Sequence, residues 1–219
     1  MAAEIPELTD FFQKRNFTRN FNKGYLICSQ EETFEYVYMV KTGVVKMYDL
    51  DNTGSERTIA IFANESVFPL TWLLNNPPKS HLYFYEAFAD SVCYIVSKDD
   101  LHAFTLENPV TILGVLDALT KSYMNLAARI RNLEKSHVRE KLEFVLYMLA
   151  NQLGTFQGNV AQIDTTITQE DISRLAGVTR ESVSLEMNNA PDLIWKDGRH
   201  TFIDVGKINT SDMPAILGE

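Results

Sequence analysis

The sequence predicts an α+β fold: a β-rich first half, one long helix, and a helical second half that ends in a helix-turn-helix followed by a β-hairpin. Three observations carry this expectation. Between Gly24 and Val96 the chain is a series of short runs rich in Val, Ile, Tyr and Thr, separated by turn signals. From Asn108 the period changes, and apolar residues recur at alternating spacings of four and three. Further on, "ITQEDISRLAGVTRESVSLEMNN" reads as two short helices about a glycine turn.

Taken in order, a short helix around Leu8 to Arg15 opens the chain, and the texture changes near Gly24. "GYLICSQ" and "YVYMVKTGVVKMYDLDNTGSERTIAIF" supply strands broken at Gly43 and at Asp51-Asn52-Thr53-Gly54. "YFYEAFADSVCYIV" supplies two more around Ala89-Asp90. Many short strands with turn punctuation make a sandwich, barrel or roll, and the lack of a fixed-length repeat disfavours a solenoid or propeller.

Ile112, Leu116, Leu119, Tyr123, Leu126, Ile130 and Leu133 then form an a/d seam over three heptads. An uninterrupted 3.5 period is best matched by a partner helix, most simply the same helix of a second subunit, the alternative being the chain's own core. "EKSHVREK" interrupts the pattern and predicts a hinge near Ser136; "VREKLEFVLYMLANQLG" is a further amphipathic helix ended by Gly154. A loop, "TFQGNV", and a strand-like "AQIDTTI" lead into the helix-turn-helix.

Within that motif, Thr168 and Asp171 have the spacing of a capping box. Ile172, Leu175 and Ala176 follow at helical spacing, and Gly177 stands where a helix ends in a left-handed residue. Thr179 can cap the second helix, whose Val183 and Met187 share one face. Arg180, Glu181, Ser184 and Leu185 project from the other side and are free to enter a DNA groove. Arg can fork to guanine O6 and N7, and Glu can accept from cytosine N4. An ordinary amphipathic hairpin would tolerate the same residues. "DLIWKDGRHTFIDV" then makes a hairpin about Asp197-Gly198, a wing whose Lys196, Arg199 and His200 could approach phosphates.

Composition limits the choices. A chain of 219 residues with 45% apolar content can bury a substantial core. No apolar run is long enough to span a bilayer, and "MAAEIPELTDFF" lacks the basic start and apolar run of a secretion signal, so a cytoplasmic protein with no membrane partner is expected. Cys28 and Cys93 stand singly in strand-like runs and read as buried structural thiols. The net charge of −9 argues against indiscriminate nucleic-acid binding. Residues 1–109 hold 9 Lys and Arg against 15 Asp and Glu, and residues 110–219 hold 11 against 14. DNA binding must therefore rest on local cations, namely Arg174, Arg180, Lys196 and Arg199, doubled in a dimer. An enzyme on a β-scaffold would need clustered metal ligands, whereas His81, His102, His137 and His200 are scattered, so neither catalytic nor metal residues are assigned.

This order of parts resembles the CRP/FNR family of bacterial transcription regulators, most specifically in "YVYMVKTGVVKMYDLDNTGSERTIAIF" and "ITQEDISRLAGVTRESVS". The resemblance implies a β-roll sensor like a cyclic-nucleotide-binding domain (residues 1–108), a dimerisation helix and hinge (109–135) and a winged helix-turn-helix (136–219). It implies a homodimer placing two recognition helices in successive major grooves of a pseudo-palindromic site, with RNA polymerase as a further partner. Arg180 and Glu181 match the family's base-reading pair, and Thr168, Gln169, Thr179 and Ser182 match its backbone-contacting positions. Two departures stand out. Where the family commonly has a second arginine this chain has Leu185, which can meet a thymine methyl but cannot fork to guanine. The run "NESVFPLTWLLNNPPKSHLYFYEAFA" lacks the arginine that would clamp a cyclic phosphate, so cyclic AMP is not the expected effector. Trp72, His81, Tyr83, Phe84, Tyr85 and Phe88 make that region aromatic. They are either β-roll core or, for Trp72, His81, Tyr83 and Tyr85, the lining of a small-molecule effector pocket. No cofactor is named by these residues, a lone His81 being too little for a haem site. The competing function is a ligand- or protein-binding module that keeps the regulator's shape without specific DNA binding.

Overall fold

The computed structural model describes residues 6–33, 35–74, 79–210 and 213. The chain divides into two compact units, one running to Lys121 and one starting at Ser122. The division falls inside the long helix.

The first unit is built on two four-stranded antiparallel sheets. Its strands are β1 (Thr18–Phe21), β2 (Leu26–Cys28), β3 (Tyr36–Thr42), β4 (Val45–Leu50), β5 (Glu56–Phe62), β6 (Val67–Phe68), β7 (Phe84–Ala87) and β8 (Ser91–Ser97). They pair in the orders β1-β8-β3-β6 and β2-β7-β4-β5. Alternation along β3 and β8 sorts two cores, because successive side chains of a strand point to opposite faces. Val40 and Cys93 join Phe21, Cys28, Val45, Phe68, Tyr85 and Ala87 in one buried cluster, against which Tyr38 packs. Val37, Met39, Tyr94 and Val96 point the other way, onto Leu8 and Phe12 of helix α1 (Pro6–Arg15), Leu101 of α2 (Lys98–Glu107) and Val115 of α3 (Val110–Leu133). Helix α2 starts directly from β8, with the Ser97 hydroxyl accepting from the Asp100 amide.

Two turns need their glycines. Gly43, between β3 and β4, has φ +91°, and a Cβ there would collide with the Asp90 carbonyl. Gly54 has φ +79° in the Asp51 turn. There Asp51 Oδ1 accepts from the Thr53 amide and hydroxyl and from the Ser55 amide, which holds its carboxyl far below the usual carboxylate range.

The second unit is centred on α4 (Val138–Leu153), whose Leu142, Phe144, Val145, Leu146, Met148, Leu149 and Ala150 are all buried. Around it lie α5 (Gln169–Ala176), α6 (Arg180–Asn189) and a sheet in the order β11-β12-β10-β9. Its strands are β9 (Thr155–Gln157), β10 (Val160–Ile163), β11 (Ile194–Asp197) and β12 (His200–Asp204). "TFQGNV" is thus part of a second hairpin, β9–β10, which extends the wing to four strands. The interruption at Ser136 lies between the end of α3 and the start of α4, as expected. No helix of the described residues is long and apolar enough to cross a membrane.

Candidate nucleic-acid interface

The helix-turn-helix is fixed by local chemistry at each of its ends. The Thr168 hydroxyl accepts from the Asp171 amide at 3.1 Å, and Asp171 Oδ2 accepts from the Thr168 amide at 2.8 Å. This reciprocal capping box satisfies two amides at the start of α5. Gly177 ends α5 in the left-handed region, at φ +65° and ψ +38°, with its amide donating to the Ser173 carbonyl. Thr179 then caps α6, its hydroxyl accepting from the Ser182 amide at 3.2 Å. Ile172, Leu175, Ala176 and Val183 are buried, closing the two helices on each other.

These constraints decide what α6 offers to solvent. Val183 is fully buried, while Arg180 and Glu181 are exposed, Leu185 is 62% exposed and Ser184 is half-buried. Arg180, Glu181, Ser184 and Leu185 therefore share the outer side of α6. The backbone-contact candidates are less uniform. Thr168 and Asp171 also exchange a side-chain bond at 2.7 Å, and the Thr179 and Ser182 hydroxyls lie 2.9 Å apart, so these hydroxyls already serve the caps. Gln169 is half-buried in the first turn of α5.

On the wing, β11 and β12 pair Lys196 with Thr201 and Asp197 with His200. The two loop residues are thus Gly198 and Arg199, one later than the Asp197-Gly198 dipeptide suggests. Gly198 takes φ +56° and Arg199 stands exposed at the tip. The same pairing separates Lys196 and His200 onto opposite faces of the hairpin. Lys196 shares the face of Thr201, whose hydroxyl bonds the Ile167 amide and the Thr165 carbonyl just before α5. His200 faces Asp164 at 3.6 Å and the Phe202 ring at 6.4 Å. Thr166 Oγ1 donates to the Arg199 carbonyl at 3.2 Å, so the segment between β10 and α5 also steadies the wing tip. Thr201 and Thr166 carry no distinguishing sequence signal; they matter because of what the fold brings to them. Arg174, the fourth local cation, is engaged by Glu170 at 3.2 Å.

On α3 the seam residues stand apart from the core. Ile112, Leu116, Tyr123, Leu126, Ile130 and Leu133 are exposed, from 42% at Ile112 to 69% at Tyr123. Leu119 differs, being half-buried and packed against the cluster that contains Leu8, Phe12 and Val115.

In the first unit, the candidate effector residues lie in or against the roll's core. Tyr85 is buried and stacks on Phe68 with ring centroids 5.2 Å apart, Tyr83 packs against the same cluster, and His81 is buried 6.3 Å from the Tyr85 ring. Burial lowers the His81 pKa and raises that of Tyr85. The side chain of Trp72, on the 3-10 turn Leu70–Leu73, lies outside the described residues. Lys46 is a buried cation on β4, bonded to Glu56 at 2.7 Å and Glu86 at 3.2 Å. Two carboxylates around one ammonium leave a locally anionic site, which does not invite a phosphate. No group of three or more His, Cys, Asp or Glu that could hold a metal occurs among the described residues.

The cyclic nucleotide-binding domain family matches residues 18–108, the span of the two sheets and α2. Among curated relatives, the global nitrogen regulator of Synechococcus elongatus is 24% identical over 164 residues, covering 75% of this chain and 74% of the relative. The CRP-like cAMP-activated global transcriptional regulator of Mycobacterium tuberculosis is 23% identical over 165 residues, covering 75% and 73%. Among solved structures, FixK2 from Bradyrhizobium japonicum superposes with a TM-score of 0.71 at 20% identity, covering 85% of this chain and 90% of that one. A CRP/FNR-family transcriptional regulator from Thermus thermophilus gives 0.63 at 16% identity, covering 92% and 98%. A nucleotide-binding-type roll, a long helix with an apolar seam and a capped helix-turn-helix, found together with these relatives, lead to one conclusion: the chain carries a cyclic nucleotide-binding-type domain and is similar over most of its length to transcription regulators of the CRP/FNR type.

Proposed function

We propose that this protein is a sequence-specific DNA-binding regulator that acts as a homodimer on a pseudo-palindromic promoter site. The observation that carries the reading is the outer side of α6, where Arg180, Glu181, Ser184 and Leu185 lie together on a helix capped at its start and backed by a buried Val183. Arg180 forks to a guanine, Glu181 accepts from a cytosine, and Leu185 meets a thymine methyl. Lys196 and Arg199 contact phosphates, with Thr168, Gln169, Thr179, Ser182 and His200 as secondary backbone contacts. The exposed seam of α3 pairs with its copy, since six large apolar side chains in a row are otherwise a water-facing stripe. Residues 1–108 serve as the sensor, 109–135 as the dimerisation helix and hinge, and 136–219 as the DNA-binding part. RNA polymerase is the partner through which bound protein alters transcription.

The effector is a small molecule other than cyclic AMP. One relative is a cAMP-activated regulator. In this chain, by contrast, residues 64–89 hold no arginine, and Lys46 on the neighbouring β4 is neutralised by Glu56 and Glu86. The test of the whole reading is selection from a random duplex library at low and moderate salt. Enrichment of a two-fold symmetric site supports it. Absence of enrichment at both salts overturns it in favour of a binding module without DNA specificity.

A further inference from the structure

Two recognition helices enter successive major grooves together only if each is held at a fixed distance from the dimer axis, with half-site centres one DNA turn apart. The last turns of α3 carry both halves of that requirement. Ile130 and Leu133 lie on the exposed seam, and two side chains of the same turns reach the helix-turn-helix. The Arg129 guanidinium Nη2 donates to the Leu175 carbonyl at 3.4 Å. Leu175 is in the last turn of α5, where carbonyls lack intrahelical amides and the helix dipole is negative, so a cation there is favoured twice. The neighbouring Ser173 carbonyl is already taken by the Gly177 and Val178 amides. One turn on, Leu133 Cδ2 lies 2.8 Å from the place a Cβ would occupy on Gly177, so the glycine of the turn seats directly on the seam helix. Burial draws the Arg129 pKa down to about 10, which leaves the side chain charged at neutral pH.

We propose that Arg129 is a positioning residue for DNA recognition: by tying the C-terminal end of α5 to the seam helix, it sets the separation of the two recognition helices in the dimer. This rests on the DNA-reading dimer proposed above. Arg129 touches no base; it acts through the place it gives to α6.

The experiment uses the full chain and the duplex recovered by selection, together with versions whose half-site spacing is changed by one base pair and a duplex with one half-site. Arg129→Met keeps the apolar stem and removes the donors, and Arg129→Lys restores a charged donor. A hydrogen bond to a charged group contributes enough that Arg129→Met should lose about tenfold in affinity for the correctly spaced site. The same variant should approach wild-type affinity on the single half-site and lose its preference between spacings, and Arg129→Lys should recover most of that preference. Sedimentation and thermal melting confirm that the variants remain folded dimers. Equal losses on every duplex, or none, overturn the proposal; if Arg129→Met does not fold, Arg129→Gln, which removes the charge and shortens the reach, takes its place, with spacing preference lost at near-full half-site affinity supporting the proposal and unchanged preference overturning it. If the wild-type chain selects no symmetric site, the DNA reading itself fails, and this assignment fails with it. A wild-type protein that selects a site but shows no spacing preference refutes the positioning role alone.

Discussion

At the scale of single residues, the roles proposed for Arg180 and Arg199 separate two kinds of contact that a mere list of cations would merge. Arg180 is exposed at the start of α6, and Arg199 is exposed at the wing tip. Arg180→Ala should cost about 1–3 kcal/mol on the selected site and relax specificity at one base pair per half-site. Arg199→Ala should weaken every duplex about equally and lower the salt slope by roughly one unit per dimer arm. Titrations against matched and mismatched duplexes distinguish the two, and a uniform loss for Arg180→Ala would remove it from base reading. The buried thiols predict a pH dependence of a different kind. Burial pushes Cys28 and Cys93 from the ordinary 9.0 up to about 12. Between those values the folded thiols keep protons that the unfolded chain releases, so the unfolded state binds fewer protons and stability falls as pH rises. Tyr38 and Tyr85 are raised above their ordinary 10.0 mainly by burial and add to the same trend. Denaturant midpoints should therefore show no thiol contribution below pH 9 and decline above it. A thiol reagent at pH 8 should label the native protein far more slowly than the unfolded one.

At the scale of elements, α3 carries the proposed association and the β4 region argues against a nucleotide phosphate. Leu119 already packs on the chain's own core, so the seam is tested better through Leu126 and Ile130, which are exposed. Replacing both with Lys places two charges against their copies at the heptad interface and should give monomers by sedimentation at micromolar concentration, with little change in the melting of each chain. A persistent dimer would assign the association to another surface. Calorimetric titration with cyclic AMP should release no binding heat, because the buried Lys46 ammonium is held by Glu56 and Glu86 and no arginine lies in residues 64–89. Most of these elements were legible in the sequence wherever a local signal marks them. Thr168 with Asp171, then Gly177 and Thr179, act within four residues of themselves, and each cap forms where that spacing placed it. Helix α2 was not legible, since only Leu101 of its ten residues is fully buried and it runs straight out of a strand. Nor was the two-residue β6 with its following 3-10 turn, each too short for a periodicity to mark it. Arg129 and Thr201 escaped for another reason. Their partners lie 46 and 34 residues away in the chain, and no periodicity encodes a contact of that kind.

At the scale of the whole molecule, the proposed reading of DNA requires an acidic chain to confine its attraction to a few places. The net charge is −9 per chain, so a dimer approaching a duplex meets long-range repulsion along with local attraction. Of the four cations near the motif, Arg174 is held by Glu170, and Arg180 is assigned to a base. That leaves Lys196 and Arg199 as the principal phosphate contacts of the proposed complex, four in the proposed dimer. With a slope near −0.9 for each neutralised phosphate, log K against log salt should fall with a slope of about −4 and affinity should drop about a hundredfold between 50 and 200 mM salt. Salt also screens the repulsion from the rest of the surface beyond about 10 Å, which flattens the dependence further. The same acidity should make binding to unrelated duplexes weak even at low salt, because those complexes have only the phosphate contacts to set against it. Fluorescence anisotropy on the selected duplex and on a scrambled one, over a series of salt concentrations, measures both quantities. A slope near −10 would mean that many more cations reach the backbone than Lys196 and Arg199, and that the wing and α6 are a minor part of the surface that meets DNA.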